Sequence, residues 1–436
     1  MKNNIIHIIL LIIITFNAQA QKSEIQDFLK SELSTLTDHY YHLHRNPEVS
    51  MCEKNTASYI QAALTKKGIP FTANFGGNGI VVVLENGKGP TLLVRADIDA
   101  LPMKEETGVD YASKVIMKDV NGKDVPAMHA CGHDIHISVW LGTIEAVNRY
   151  RNWKGKVIFV AQPAEEIVVG AKAMLDAGLY QKFGKPDFCV ALHDASDLPA
   201  GKVGFCPEYA MASVNSINIT VKGTGGHGAY PHNTIDPVVM SAKLILDLQT
   251  IISRDIPAIE PAVLTVGTIH GGTKRNIIPD EVKLECTLRT YNDKIKDLII
   301  EKIREKTRGV AVSEGLPEDK YPVIEITPEH APSLYNNLEL MKKIVPAFEK
   351  ELGKDNVLQV KPVMVSEDFG HFGMDDHSIP VFLYWLGAVE PQKYDTFRTQ
   401  GKTLPSLHSS TFLPEPVQTI RTGVRSMSAA IFELLK

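Results

Sequence analysis

Short runs of β-branched and aliphatic residues alternate along the chain with amphipathic stretches of helical period. Ile80–Leu84 and Thr91–Arg95 predict two strands around the turn Asn86-Gly87-Lys88-Gly89-Pro90, and Val157–Val160 and Phe188–Leu192 predict two more. Helices are expected over His133–Arg149 and Ala171–Ala177, the second stopped by Gly178. Strand, helix, strand in this order predicts an α/β core with a partly parallel sheet.

The pattern changes after about Pro207. Ser216–Val221, Ala262–Ile269 and Glu281–Arg289 alternate inward and outward residues. Two helices interleave with them, one from Asp236 to Ile252 with Pro237 at its first position, the other carrying Ile295, Leu298, Ile299 and Ile303 at i, i+3, i+4 and i+8. The expected organisation is an α/β domain in two parts, roughly 21–209 and 326–436, with an α+β unit inserted at roughly 210–325. In the second part, helix and strand patterns resume over Leu338–Leu352, Pro380–Leu386 and Pro416–Leu434.

The 436 residues hold 46 Lys plus Arg against 51 Asp plus Glu, a formal charge of −5, so no basic excess marks a nucleic-acid partner. With 44% apolar and 22% charged residues the chain is an ordinary globular one, which excludes a polytopic membrane protein and long disorder. Its start reads as an export signal over residues 1–20: Lys2, the apolar run Ile5–Phe16, then Ala18-Gln19-Ala20 as a cleavage site. The alternative, an uncleaved anchor, lacks length and a basic stop-transfer cluster. An exported protein, periplasmic or secreted, beginning near Gln21 and not inserted in the membrane is expected. Five cysteines are too few for a disulfide scaffold at this length, and Cys189, Cys206 and Cys286 fall in apolar runs expected in the core.

The densest chemistry is His129-Ala130-Cys131-Gly132-His133-Asp134-Ile135-His136. Thiolate and imidazole are ligands of borderline-soft metals, and Cys-x-His on a turn before a helix can aim both at one point; a cluster of surface histidines is the alternative. Gln162-Pro163-Ala164-Glu165-Glu166 brings two carboxylates off the end of a buried strand. One could bind metal while its neighbour moves a proton, or the pair could sit on an exposed loop. His193 at a strand end and His408 near the C-terminus extend the set, since α/β sheets gather their sites at strand ends. Asp97 and Asp99 could orient ligand imidazoles, or Asp97 could pair with Arg95. Gly225–His232 reads by itself as a Gly-rich turn.

Taken together and in order, His44–Glu48, Arg95–Pro102, Met128–Asp134, Gln162–Glu166, Ala191–His193, Gly225–His232, Asn276–Asp280 and Ser366–Phe369 resemble the dinuclear-metal amidohydrolases of hippurate, N-acyl amino acids and auxin conjugates, relatives of aminoacylase and carboxypeptidase G. The resemblance implies a zinc-peptidase-like α/β catalytic domain with a mixed sheet, plus an inserted α+β domain acting as lid or dimerisation module. It further implies two divalent ions (zinc, manganese, cobalt or nickel), with Cys131 bridging and His133, Glu166, His193 and His408 as the other ligands. Glu165 would be the general base, His227 would stabilise the oxyanion, and Arg275 and Asn276 would lie near the substrate carboxylate. The implied substrate is a small N-acyl amino acid or dipeptide, and a homodimer is a possible assembly. A peptidase acting on dipeptides or C-termini, and a non-catalytic metal- or peptide-binding scaffold, are the alternatives. Two positions depart from the resemblance: Asp194 follows His193 and would add negative charge near the metals, and Ser410 replaces a usual proline.

Overall fold

A computed structural model describes residues 24–374 and 376–436 in full, and residues 2–23 without their side chains. The expected signal segment therefore lies outside the fully described residues. Among the described residues no helix is long and apolar enough to cross a membrane. The chain forms two compact units, one of residues up to 208 with 335–361 and 371–436, the other of 209–334 with 362–370.

The large unit is built on a mixed sheet. Helices α1 (Lys2–Arg45) and α2 (Lys54–Lys66) precede strands β1 (Ile80–Asn86) and β2 (Thr91–Asp97), helix α3 (His133–Arg149), and strands β3 (Gly155–Gln162) and β4 (Phe188–Pro199). The sheet runs β1-β3-β2-β4 and continues to a strand near the C-terminus, Val381–Val389. Strand β1 is antiparallel to β3, whereas β2 runs parallel to both β3 and β4, with Asp97 beside Gln162 and Arg95 beside Ala191. Strand β4 extends well past the expected Leu192, because its pairing with the C-terminal strand continues from His193 opposite Trp385 to Pro199 opposite Val389. Fifteen consecutive residues of α3, His133–Val147, are buried. A Cβ at Gly142 would lie 2.6 Å from Leu36 Cδ1 and 2.9 Å from Val424 Cγ2, so only glycine permits this approach of α1 and of the C-terminal helix Pro416–Leu434 to α3. Ile98, Ile144, Phe159, Val190, Ile344, Tyr384 and Ile431 belong to one core.

The small unit has its own core. Strands β5 (Ser213–Lys222), β6 (Ala262–Gly271), β7 (Glu281–Thr290) and β8 (Val323–Ala331) form an antiparallel sheet in the order β6-β7-β5-β8. Strand β5 alternates buried and half-buried residues, the signature of a sheet covered on one face. Helices α4 (Pro237–Thr250) and α5 (Asp293–Ser313) are N-capped by Asp236 and Asn292. Ile217, Ile219, Met240, Leu244, Leu284, Ile299 and Ile303 fill the space between. The unit runs past residue 325 because β8 pairs with β5 from Val323 opposite Thr220 to Ala331 opposite Val214.

Candidate metal centre

Parallel pairing brings the C-terminal ends of β2 and β3 to one edge of the sheet, next to His193 on β4. Helix α3 starts at that edge. Gly132 precedes it at φ +81°, a left-handed conformation that lets the chain turn from Cys131 into the helix within one residue. His408 also has positive φ, +61°, and its N–H donates to Ala130 O at 2.9 Å, which ties the C-terminal loop to the same turn.

The donor atoms converge. Cys131 Sγ lies 3.5 Å from His193 Nε2 and 3.3 Å from His408 Nε2. His408 Nε2 is 3.3 Å from Glu166 Oε2, and His133 Nε2 is 3.8 Å from both Glu166 Oε1 and Glu165 Oε2. Cys131 thus belongs to two donor groups, one with His133 and His193, the other with Glu166 and His408. Such separations equal the edges of a ligand shell with bonds of about 2.0–2.3 Å. His133 Nδ1 donates to Asp99 O at 2.8 Å and His193 Nδ1 to Asp194 O at 2.9 Å, which turns each Nε2 toward the cluster. His133 Nε2 and Glu166 Oε1 are buried without any hydrogen-bond partner, a costly condition that a cation would remove. Cys131, His133, His193 and Glu165 are buried, whereas the His408 side chain is 54% exposed and forms the open side of the cluster.

The electrostatics also call for a cation. Burial alone would lower the pKa of His133, but Asp97, Asp99 and Glu166 raise it to about 10. Burial, with Asp99 and Asp97 adding repulsion against the pull of His133, raises Glu166 to about 8. Too many acids crowd too little positive charge, and a divalent ion among them would relieve both shifts. Thiolate, imidazole and carboxylate donors with this geometry fit divalent metal.

Asp97 makes the salt bridge to Arg95 and also orients imidazoles: Arg95 Nη1 and His136 Nδ1 both approach it at 2.5 Å. His136 Nε2 in turn accepts from Asp194 N–H at 2.9 Å. The Asp194 carboxyl is fully buried, both oxygens lack hydrogen-bond partners, and burial with Asp134 and Asp97 nearby pushes its pKa well above the usual carboxylate range.

In the small unit, Gly226 and His227 pair with Ile278 and Ile277 in a short ribbon, and Gly228 N–H donates to Asn276 O at 2.9 Å. The His227 and Asn276 segments, separate in sequence, are therefore neighbours, and His227, Arg275 and Asn276 are all exposed. His227 Nδ1 accepts from Ala229 N–H at 3.0 Å.

Sequence reasoning named His44 only within the motif His44–Glu48, without a role, and missed Ser50 and Glu53. His44 bridges Asp134 Oδ2 at 2.7 Å and Glu105 Oε1 at 3.1 Å, all buried. Ser50 donates to Asp99 Oδ2 at 2.6 Å, and the same oxygen accepts from Glu166 N–H at 3.0 Å. Buried Glu53 accepts from Ala164 N–H at 2.9 Å. Ser50 and Glu53, with Met51 and Cys52 between them, carry no local pattern that points across the fold.

A model of peptidase family M20/M25/M40 matches residues 93–399. An N-acetyldiaminopimelate deacetylase of Limosilactobacillus reuteri is 34% identical over 400 residues, 89% of this chain and 94% of that protein. An N-acetylcysteine deacetylase of Bacillus subtilis is 33% identical over 351 residues, 79% of this chain and 86% of that protein. Among solved structures, a putative aminohydrolase from methicillin-resistant Staphylococcus aureus superposes with a TM-score of 0.82 at 28% identity, covering 95% of this chain and 100% of that one. A dinuclear metal binding peptidase of the M20 family from Bacillus subtilis gives 0.73 at 27% identity, over 93% and 100%.

Proposed function

The chain belongs to peptidase family M20/M25/M40 and is a metal-dependent amidohydrolase, and from that premise we propose that it cleaves the amide of N-acyl amino acids with small acyl groups, releasing the free amino acid. The names of the two deacetylases support this substrate class over dipeptides. The observation that carries the reading is the convergence of Cys131, His133, Glu166, His193 and His408 beside Glu165. Cys131 is the donor common to both groups, so these five residues would hold two divalent ions, of zinc, manganese, cobalt or nickel. Metal held there supplies Lewis-acid polarisation of the scissile carbonyl.

The remaining work falls to side chains. Glu165 accepts a proton from the attacking water on a carboxylate oxygen and returns it to the departing amine nitrogen, so one water is consumed and the acid and amine leave. Asp99 O and Asp194 O fix the His133 and His193 rings. With Nδ1 occupied as an acceptor, neutral His227 carries its proton on Nε2 and offers it to the oxyanion. Arg275 and Asn276 take the substrate carboxylate.

Release of amino acid from a panel of N-acetyl amino acids and dipeptides, by wild type and Glu165→Gln, tests this. Turnover of the acetylated substrates is expected, with kcat lower by roughly 10²–10⁴-fold in the variant at unchanged metal content. Turnover of dipeptides alone would overturn the substrate class, and an active Glu165→Gln would overturn the role of Glu165.

A further inference from the structure

Glu53 is the N-cap residue of α2, yet its side chain does not cap that helix. Glu48 does so instead, accepting from Thr56 N–H at 2.7 Å, and this leaves the Glu53 carboxylate free to turn inward. There it is fully buried, and its three hydrogen bonds all reach chain turns. Oε1 accepts from Met51 N–H at 2.8 Å and from Ala164 N–H at 2.9 Å, and Oε2 accepts from Asn78 Nδ2 at 2.8 Å.

Ala164 is the informative partner. It lies between Pro163 and Glu165, it is buried, and its φ of +53° is a conformation that an alanine avoids without compensation. Its N–H has turned away from the strand toward Glu53. On the other side of Glu165, Glu166 N–H is held by Asp99 Oδ2. Buried carboxylates therefore hold a backbone N–H on each side of Glu165, that of Ala164 and that of Glu166, and the left-handed twist at Ala164 sets the direction in which the Glu165 side chain leaves the backbone.

We propose that Glu53 is a positioning residue for the hydrolytic reaction: by accepting from Ala164 N–H it holds the Pro163–Glu166 turn so that Glu165 is presented in the orientation proton transfer requires. The inference rests on the assignment of Glu165 as general base. Loss of the anchor loosens the base relative to the bound substrate, which lowers kcat and leaves KM little changed. Burial pushes the Glu53 carboxyl up to about 7, so an uncharged group of the same shape is tolerated at this place, and glutamine is the conservative replacement.

The test uses the full-length zinc-loaded enzyme and the variants Glu53→Gln, Glu53→Met, Glu53→Asp and Glu165→Gln. It reads kcat and KM on the best N-acetyl amino acid, zinc per chain after gel filtration, and melting temperature. Glu53→Gln, which keeps an acceptor at Oε1, is expected to retain kcat within about threefold. Glu53→Met, with no acceptor, should lose roughly 10–100-fold in kcat with KM within about twofold and zinc content unchanged. Glu53→Asp, which is too short to reach Ala164 but keeps an acid, should fall with it, and it decides the matter if the methionine variant does not fold. Wild-type kcat in both the Met and Asp variants would overturn the proposal. So would a loss that only follows zinc or folded protein, or an equal loss in the Gln variant. An inactive Glu165→Gln beside such results condemns the role of Glu53 alone, whereas a fully active Glu165→Gln removes the general base on which the proposal stands.

Discussion

At the scale of single residues, His44 shows how far the site's support reaches. Burial by itself would lower its pKa, but hydrogen bonds to Asp134 and Glu105 outweigh that and raise it to about 9. A folded pKa above the unfolded value near 6.5 means that the stabilisation is complete below about pH 6.5 and is lost as pH rises through about 9. The linked free energy is about 3 kcal/mol. His44→Gln should therefore be destabilised most at pH 6, where two buried carboxylates lose their cation, and the gap to wild type should narrow by pH 9.5. Melting curves at the two pH values check this, and a gap independent of pH would refute a charged His44. The contrast with the proposed metal ligands is instructive. Cys131, His133 and Glu166 were legible as candidate ligands because their type and local spacing carry the chemistry. The supporting roles of His44, Glu53 and Ser50 were not legible, because their meaning lies in partners 49 to 111 positions away. Asp194 was legible as a carboxylate beside His193, whereas only the fold reveals its burial.

At the scale of elements, periodicity located α3, Leu338–Leu352 and Pro416–Leu434 at their observed bounds. Strands were foreseen as cores and came out longer, because ladder pairing carries less apolar residues such as Gln162 and His193 into the sheet. Strand β8 escaped detection for a physical reason: its register shifts between Ile326 and His330, and Pro328 interrupts the alternation. The element on which the site depends most is the start of α3. A Cβ on Gly132 would need φ +81° and would meet Asp194 Oδ2 at 2.4 Å. Gly132→Ala should therefore displace Cys131 and His133 together, costing roughly 1–3 kcal/mol and most of the bound metal. Adding Asp194→Ala removes the contacts with Oδ2 and Cγ and leaves a tight one of 3.0 Å with Cβ, while the backbone strain of about 1 kcal/mol stays, so the double variant should recover metal in part. Full metal content in Gly132→Ala would show that the turn can relax without moving its ligands.

At the scale of the whole molecule, the two units place the proposed chemistry unequally. All five proposed ligands belong to the large unit, and they come from four stretches of chain around residues 131, 166, 193 and 408. Metal that binds them binds only the folded large unit, so it cross-links segments that the unfolded chain leaves far apart. At a thousandfold excess over Kd, such binding adds about 4 kcal/mol to stability. The small unit contains none of these residues and is held by the apolar contacts of β5, β7, α4 and α5. Two cores of this size need not melt as one. Calorimetry of the zinc-loaded protein, repeated after dialysis against a chelator, should show the large-unit transition fall by several degrees while the small-unit transition stays in place. Hydrogen exchange on the two samples identifies which is which, because protection should drop in α3 and β4 and remain in β5 and β7. If both transitions shift together, the units unfold as a single cooperative block. If neither shifts, the five donors do not hold metal in the native chain, and the catalytic reading of Glu165 falls with them.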